Sequence, residues 1–473
     1  MIPARLVDLL DDVEVETMNP TAPTAVVANI TQDSAQVGPG VLFCCRRGHE
    51  VDGHRYAPDA VERGASALLV ERLLRLPVAQ VVVADVSRAL PRVAAAGWGH
   101  PSRRLHLIGV TGTNGKTTTT YLIRSILEAA GLRTRVIGTL NGPLTTPEPV
   151  DLQRRLAGMV AEGTQAAAME VSSHGLIQHR VDATSFAVGV FTNLDRDHLD
   201  YHGDMDSYFR AKASLFQLGR VSVGVVNADD PWGRRLLHSP NLPTVPYSTA
   251  DLHPITTSGG STFHWRGETV NLRLPGRFNV DNALAAATVA EALGVPPNIT
   301  SEALSTVVGP PGRMESIETG QPFRVIVDCA HTPTALRQVV STLRSGGSGR
   351  LIVVFGCGGD RDRTKRPEMG ATVADHADLG ILTTDNPRNE PLAQIFADVL
   401  SGTGATSLVV EPDRRSAIAQ AIKAAGDGDT VLVAGKGDQT IQQIGDSSIP
   451  FDDRNVAREE LELLRTICPA LSE

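Results

Sequence analysis

Several classes of protein are excluded by what this chain lacks. Its five cysteines, Cys44, Cys45, Cys329, Cys357 and Cys468, are odd in number and follow no metal-ligand spacing, so neither a disulfide framework nor a zinc site is indicated. Lys and Arg number 44 against 53 Asp and Glu, a net charge of −9, which argues against a broad nucleic-acid surface while leaving room for a local phosphate pocket. No uncharged apolar run approaches the ~20 residues of a membrane span. The segment Met1 to Asp12 sets three Asp and one Arg around a leucine patch, without the basic start and apolar core of a signal peptide, and the cytoplasm is the expected compartment. Short repeats and low-complexity tracts are missing as well.

What remains is an ordinary soluble composition, 41% hydrophobic and 21% charged, spread over 473 residues. That length exceeds one compact core, and about 150 residues per domain predicts three. Residues 1–98 read as a small α/β unit, with strands at Val41-Leu42-Phe43-Cys44, Ala67 to Val70 and Val81 to Val83 and a helix over Tyr56 to Arg63. A linker is expected at Gly97 to Arg104. Over residues 99–313, apolar runs at Leu105 to Ile108, Ala166 to Val171, Ala187 to Thr192 and Val221 to Val226 alternate with helical stretches. Such alternation predicts a mostly parallel sheet covered by helices. The Gly309-Pro310-Pro311-Gly312 break marks a second boundary. Residues 314–473 then read as a Rossmann-like unit, with strands at Val325 to Val327, Leu351 to Phe355, Leu379 to Thr383, Ser407 to Val410 and Val431 to Ala434.

The most telling segment is Gly109-Val110-Thr111-Gly112-Thr113-Asn114-Gly115-Lys116-Thr117-Thr118, between a strand and a helix expected over Tyr121 to Ala130. Glycines let backbone N–H groups approach phosphates, Lys116 can reach the β and γ oxygens, and the Thr117 hydroxyl suits Mg²⁺. The chemistry is therefore expected to begin with ATP. The spacing is not that of the common P-loop, since Val110 stands five residues before Gly115. Glu170 falls at the carboxyl end of a strand, where ligands gather in open α/β sheets and a carboxylate makes a good Mg²⁺ ligand; a helix-capping glutamate is the plain alternative. Asp195 to His202 crowds three acids and two histidines together, which is costly to bury unless they are paired or bind metal. A helical reading puts Lys212 on one face with Tyr208 and Phe216, where its stem can lie along the core while the tip reaches solvent. Partial burial would instead depress its pKa. Arg313 at the domain boundary and Asp328 and His331 after a strand can complete a nucleotide cleft.

Taken together, these segments resemble the Mur ligases, most closely the MurE branch, which joins an amino acid to UDP-N-acetylmuramoyl-L-alanyl-D-glutamate. The resemblance rests on Gly112-Thr113-Asn114-Gly115-Lys116-Thr117-Thr118, Glu170-Val171-Ser172-Ser173-His174-Gly175-Leu176, Asp197-His198-Leu199-Asp200-Tyr201-His202, Gly276-Arg277-Phe278-Asn279-Val280 and Pro311-Gly312-Arg313-Met314-Glu315, in family order. It implies a peptidoglycan-precursor ligase that forms an amide through an acyl phosphate, with a UDP-muramoyl peptide and a free amino acid as partners and a monomeric state. By similarity, residues 112–118 hold ATP, while Thr117, Glu170, His198 and Lys212 place Mg²⁺, Lys212 as a CO₂-derived carbamate. Asn279, Arg313, Asp328 and His331 fall on the nucleotide side. Ser34, Thr145, Thr146, Ser172, Gln178 and Arg180 match positions that contact the muramoyl substrate. Arg361, Asp385, Asn386, Arg388, Gly435 and Gln439 match the amino-acid site of members that add meso-diaminopimelate, arginines holding carboxylates by paired hydrogen bonds. Five positions depart from the family: Gly435-Lys436-Gly437-Asp438-Gln439 stands where Gly-Lys-Gly-His-Glu is usual, Cys329 replaces Tyr and Thr334 replaces Asp or Glu in Asp-Tyr-Ala-His-Thr-Pro-Asp/Glu, and Ala35 replaces Arg. A paralogue coupling another amino acid or acceptor is the enzyme alternative; a silent nucleotide-binding scaffold is the non-enzyme one.

Overall fold

A computed structural model describes residues 1–48, 51–238, 242–257, 259–347, 349–404 and 408–467; Cys468 and Ser407 lie outside them. Three α/β units follow one another, each built on its own sheet.

In the first, the parallel strands Asn29–Thr31, Val41–Cys44, Ala67–Val70 and Ala79–Val82 are edged by the antiparallel Thr17–Met18. The expected linker is a packed turn, Pro101–Arg104, with Pro101 and Ser102 buried.

The central sheet is parallel throughout, in the order 244–247, 221–227, 186–191, 106–111, 166–170, 134–137. Apolar clusters cover both of its faces, which is why its strands read as unbroken apolar runs rather than alternating ones. Strand His106–Thr111 lies between strands drawn from later in the chain, so the sheet opens a crevice at its carboxyl end, where the glycine loop begins. The following helix starts at Lys116, five residues earlier than its pattern suggests. Four consecutive threonines are weak helix formers, yet Thr117 to Thr120 are buried here and Thr120 Oγ1 donates to the Thr117 carbonyl. Helix Arg277–Ala292 packs beside it, and five of its alanines are buried, a composition that lets two helices approach closely. An antiparallel sheet over Ile255–Thr257, Gly260–Trp265 and Glu268–Leu272, not foreseen above, adds Phe263, Trp265, Val270 and Leu272 to the same core.

In the third unit the strands run in the order 315–316, 324–328, 430–434, 351–355, 379–382, 408–410, parallel except for the first. Their carboxyl ends face the central domain with the segments after Asp328, Phe355, Leu382 and Ala434. Among the described residues no helix is long and apolar enough to cross a membrane.

Candidate active site

The glycine loop, the helix Arg277–Ala292 and the four C-terminal loops enclose a cavity of about 450 Å³. Gly115, at φ +85, sits where a side chain would collide with the Asn282 carboxamide; the loop can pass there only as glycine. Lys116 folds back over its own loop, donating to the Gly112 and Thr113 carbonyls at 2.9 Å each.

Glu170 is 1% exposed at the end of its strand and is held from two sides. Thr117 Oγ1 donates to Oε2 at 3.0 Å, and the Thr139 N–H donates to Oε1 at 2.9 Å. No cation pairs with it among the described residues. A buried carboxylate beside a phosphate loop, hydrogen-bonded but uncompensated in charge, suits a divalent cation better than a helix cap. Among the described residues no three His, Cys, Asp or Glu side chains form a metal cage of their own, so a cation there would need phosphate oxygens to complete its shell.

The structure overturns the solvent-reaching reading of Lys212. The residue is 2% exposed, its Nζ donates to the Gly112 carbonyl at 2.8 Å and stands 4.5 Å from the Tyr208 ring centroid. The helix Met205–Ala213 ends before Phe216, so of the two aromatics expected on its face Tyr208 alone lies on the same helix. Burial pushes the Lys212 ammonium well below its ordinary range and nearby Lys116 pushes it further, against the pull of Asp197. Burial and a second cation, with no acid within ion-pair distance among the described residues, disfavour the charged form of this amine.

Of the expected nucleotide-site residues, Thr113 to Thr118, Asn279, Arg313, Asp328 and His331 line the cavity together with Glu170, His198 and Thr145. Gly112 and Lys212, joined by their hydrogen bond, do not line it. The expected amino-acid residues Arg361, Asp385, Asn386, Arg388, Gly435 and Gln439 line its other end. Thr146, Ser172, Gln178 and Arg180 form a separate adjoining network: Thr146 Oγ1 donates to Ser172 Oγ at 3.1 Å, and Arg180 reaches the Thr146 carbonyl at 2.9 Å and Gln178 Oε1 at 2.6 Å. Arg180 also pairs with Glu148 at 2.8 Å, and Glu148 pairs across to Arg46 of the first unit at 2.7 Å. Ser34 sits in the turn Ser34–Gln36 of the first unit and does not line the cavity.

Several lining residues escaped the sequence reading. Asn282 lies one helical turn from Asn279, a spacing that could have flagged it. Asp438 accepts from Arg313 Nη2 at 3.2 Å, and Lys365 stands 3.8 Å from Asp197; both pairs join the central and C-terminal parts. Arg196 adds a hydrogen bond to Thr364 Oγ1 at 2.6 Å. Arg313 and Asp197 stood out in their motifs, but no local pattern announces their partners Asp438 and Lys365.

A phosphate loop facing a second, Rossmann-like domain across one cavity defines an enzyme that activates one substrate with a nucleotide and meets it with another. Sequence profiles agree and are more specific: residues 26–105 match the Mur ligase family catalytic domain, 110–290 the Mur ligase middle domain, and 312–437 the Mur ligase glutamate ligase domain. A UDP-N-acetylmuramoyl-L-alanyl-D-glutamate–2,6-diaminopimelate ligase of Geobacillus thermodenitrificans is 45% identical over 91% of this chain and 94% of its own. The Streptomyces coelicolor protein of the same name is 42% identical over 93% of each. A solved structure with that name, 33% identical, superposes with a TM-score of 0.69 over 98% of this chain and 99% of the other. The Thermotoga maritima MurF ligase in complex with ADP, at 19% identity and TM-score 0.65, over 93% of this chain and 97% of its own, shares the fold. The chain belongs to the Mur ligase family of ATP-dependent ligases.

Proposed function

We propose that this chain adds meso-diaminopimelate to UDP-N-acetylmuramoyl-L-alanyl-D-glutamate in the cytoplasm, as a step of peptidoglycan precursor synthesis. The observation that carries the reading is one cavity lined both by the glycine-loop residues and by Arg361 and Arg388. We place the domain boundaries at 98/99 and 313/314. Gly312, at φ +67 and in close contact with the Gly437 and Asp438 backbone, supports the second as a point of articulation.

The loop N–H groups and Lys116 hold the ATP phosphates in this reading. Thr145, Thr146, Ser172, Gln178 and Arg180 hold the muramoyl peptide, with Ser34 on the UDP side. The acceptor carboxylate attacks the γ-phosphorus, ADP leaves, and an acyl phosphate forms. The amine of the incoming amino acid then attacks the acyl carbon, expelling inorganic phosphate and losing a proton as the amide forms. Mg²⁺ at Thr117 and Glu170, with His198 and a Lys212 carbamate in support, would supply neutralisation of charge on the phosphoryl oxygens. The buried, uncompensated Glu170 fits the cation; the neutral-leaning Lys212 amine fits carbamylation, which requires an unprotonated nitrogen. Asn279, Arg313, Asp328 and His331 position the nucleotide. Contact of the C-terminal domain through Lys365 and Arg196 helps to exclude water from the acyl phosphate.

Gln439 and Asp438 favour a second reading, a paralogue coupling another amino acid. Phosphate release by purified protein, measured against a panel of UDP-muramoyl acceptors and amino acids, tests both. The proposal expects turnover with the L-alanyl-D-glutamate acceptor and meso-diaminopimelate; turnover only with another pair would favour the paralogue.

A further inference from the structure

At the amino-acid end of the cavity, two obligate donors converge on one carboxamide. The fully buried Lys436 ammonium lies 3.2 Å from Asn386 Oδ1, and the Gln443 backbone N–H donates to the same oxygen at 2.9 Å. Neither donor can accept, so the orientation of Asn386 is fixed and its NH₂ points the other way. That NH₂ donates to Gln439 Oε1 at 2.8 Å. Facing a donor, Gln439 must use its oxygen, and the half of its amide left for the cavity is Nε2. Among the described residues no acceptor is paired with it.

The neighbouring side chains have the same polarity. Arg388 and Arg361 approach each other around Gly358, where a side-chain carbon would lie 3.2 Å from Arg388 Nη1 and 3.9 Å from Arg361 Cγ. Each gives one N–H to a backbone carbonyl, Gly359 and Asp360 respectively, and among the described residues neither forms an ion pair. Of the nearby acids, Asp360 is engaged by Asn389, Asp438 by Arg313, and Asp385 is buried against Gly435 within reach of the Lys436 charge. The wall made by Gln439, Arg388 and Arg361 therefore presents donors.

Resting on the functional reading above, we propose that Gln439, its amide polarity set by the Lys436–Asn386 relay, makes the distal subsite select a carboxylate and gain nothing from a second ammonium. The substrate class is then α-amino acids with a distal carboxylate, whether or not a second amine is present.

The test compares meso-diaminopimelate, 2-aminopimelate (the same chain without the second amine) and lysine, in kcat/KM at saturating ATP and acceptor. The wild-type enzyme is expected to use 2-aminopimelate within about threefold of meso-diaminopimelate, and lysine at least about tenfold less well. Gln439→Glu restores an acceptor and should raise the preference for meso-diaminopimelate over 2-aminopimelate by about tenfold. Asn386→Asp keeps the oxygen that Lys436 and Gln443 need but replaces the donor with an acceptor. Gln439 should turn over and offer its oxygen, raising the same ratio with residue 439 unchanged. Tenfold wild-type discrimination against 2-aminopimelate, or a ratio unmoved in Gln439→Glu, would overturn the proposal alone. Absence of turnover with every distal-carboxylate amino acid would overturn the functional reading and this one with it.

Discussion

At the scale of the residue, the site keeps Glu170, Arg361 and Arg388 without an ion-pair partner among the described residues, while Arg180, Asp197 and Arg313 are paired within the protein. Lys212 illustrates what a sequence hides: its spacing from Tyr208 was legible, but whether the tip reached water depended on the Gly112 carbonyl, 100 residues away in the chain. Lys212→Ala is expected to lose most activity, with partial recovery on adding short-chain carboxylic acids that supply the missing anion. Equal loss with and without them, in phosphate release, would argue against a carbamate. Lys116→Ala should abolish ATP turnover while circular dichroism and melting stay close to wild type, because it removes charge stabilisation and no core contact. Gly115 was legible as a loop glycine, but not its closeness to Asn282. Gly115→Ala should cost about 1–2 kcal/mol from the left-handed backbone alone, read in a denaturant melt, and more if Asn282 is displaced. An unchanged midpoint with normal ATP turnover would contradict this.

At the scale of the element, the buried parallel strands were readable because sheets covered on both faces leave continuous apolar runs. Strand Thr134–Ile137 was not, being four residues long with an exposed Arg135, and neither was the small antiparallel sheet, whose first strand is exposed throughout. Helix Asp453–Ile467 is tied to the C-terminal sheet by an ion pair of the same hidden kind. Arg414 and Asp453, both 0% exposed, pair at 2.7 Å, and Arg414 also donates to the Thr384 carbonyl at 3.2 Å and the Ala434 carbonyl at 3.0 Å. These carbonyls precede Asp385 and Gly435, so the pair braces two loops of the cavity. Asp453→Ala should destabilise the protein by about 3–5 kcal/mol, since it strands a buried guanidinium. The double variant Arg414→Met, Asp453→Leu should recover part of that stability but not the KM for the amino acid. Equal melting points for the two variants would refute the argument.

At the scale of the whole molecule, the ordered motifs indicated three α/β units and a ligase before any geometry was known, because phosphate loops and strand-end carboxylates are local in sequence. How the units meet was not legible. The Arg46–Glu148–Arg180 network and the Lys365–Asp197 and Arg313–Asp438 pairs join residues distant in sequence; Arg180 and Arg313 were legible as site residues and Asp197 as part of a motif, but their partners were not, and only the folded chain brings them together. They set the Thr146–Ser172–Arg180 network beside the glycine loop and Arg361 and Arg388 on the same cavity, the placement that the proposed activation and amide formation require. The most direct test supplies the acceptor with ¹⁸O in its reacting carboxylate, together with ATP, Mg²⁺ and meso-diaminopimelate, and weighs the inorganic phosphate released. Transfer through an acyl phosphate predicts one ¹⁸O atom in each phosphate, formed in step with the amide product. Phosphate free of ¹⁸O, released at the same rate, would contradict it.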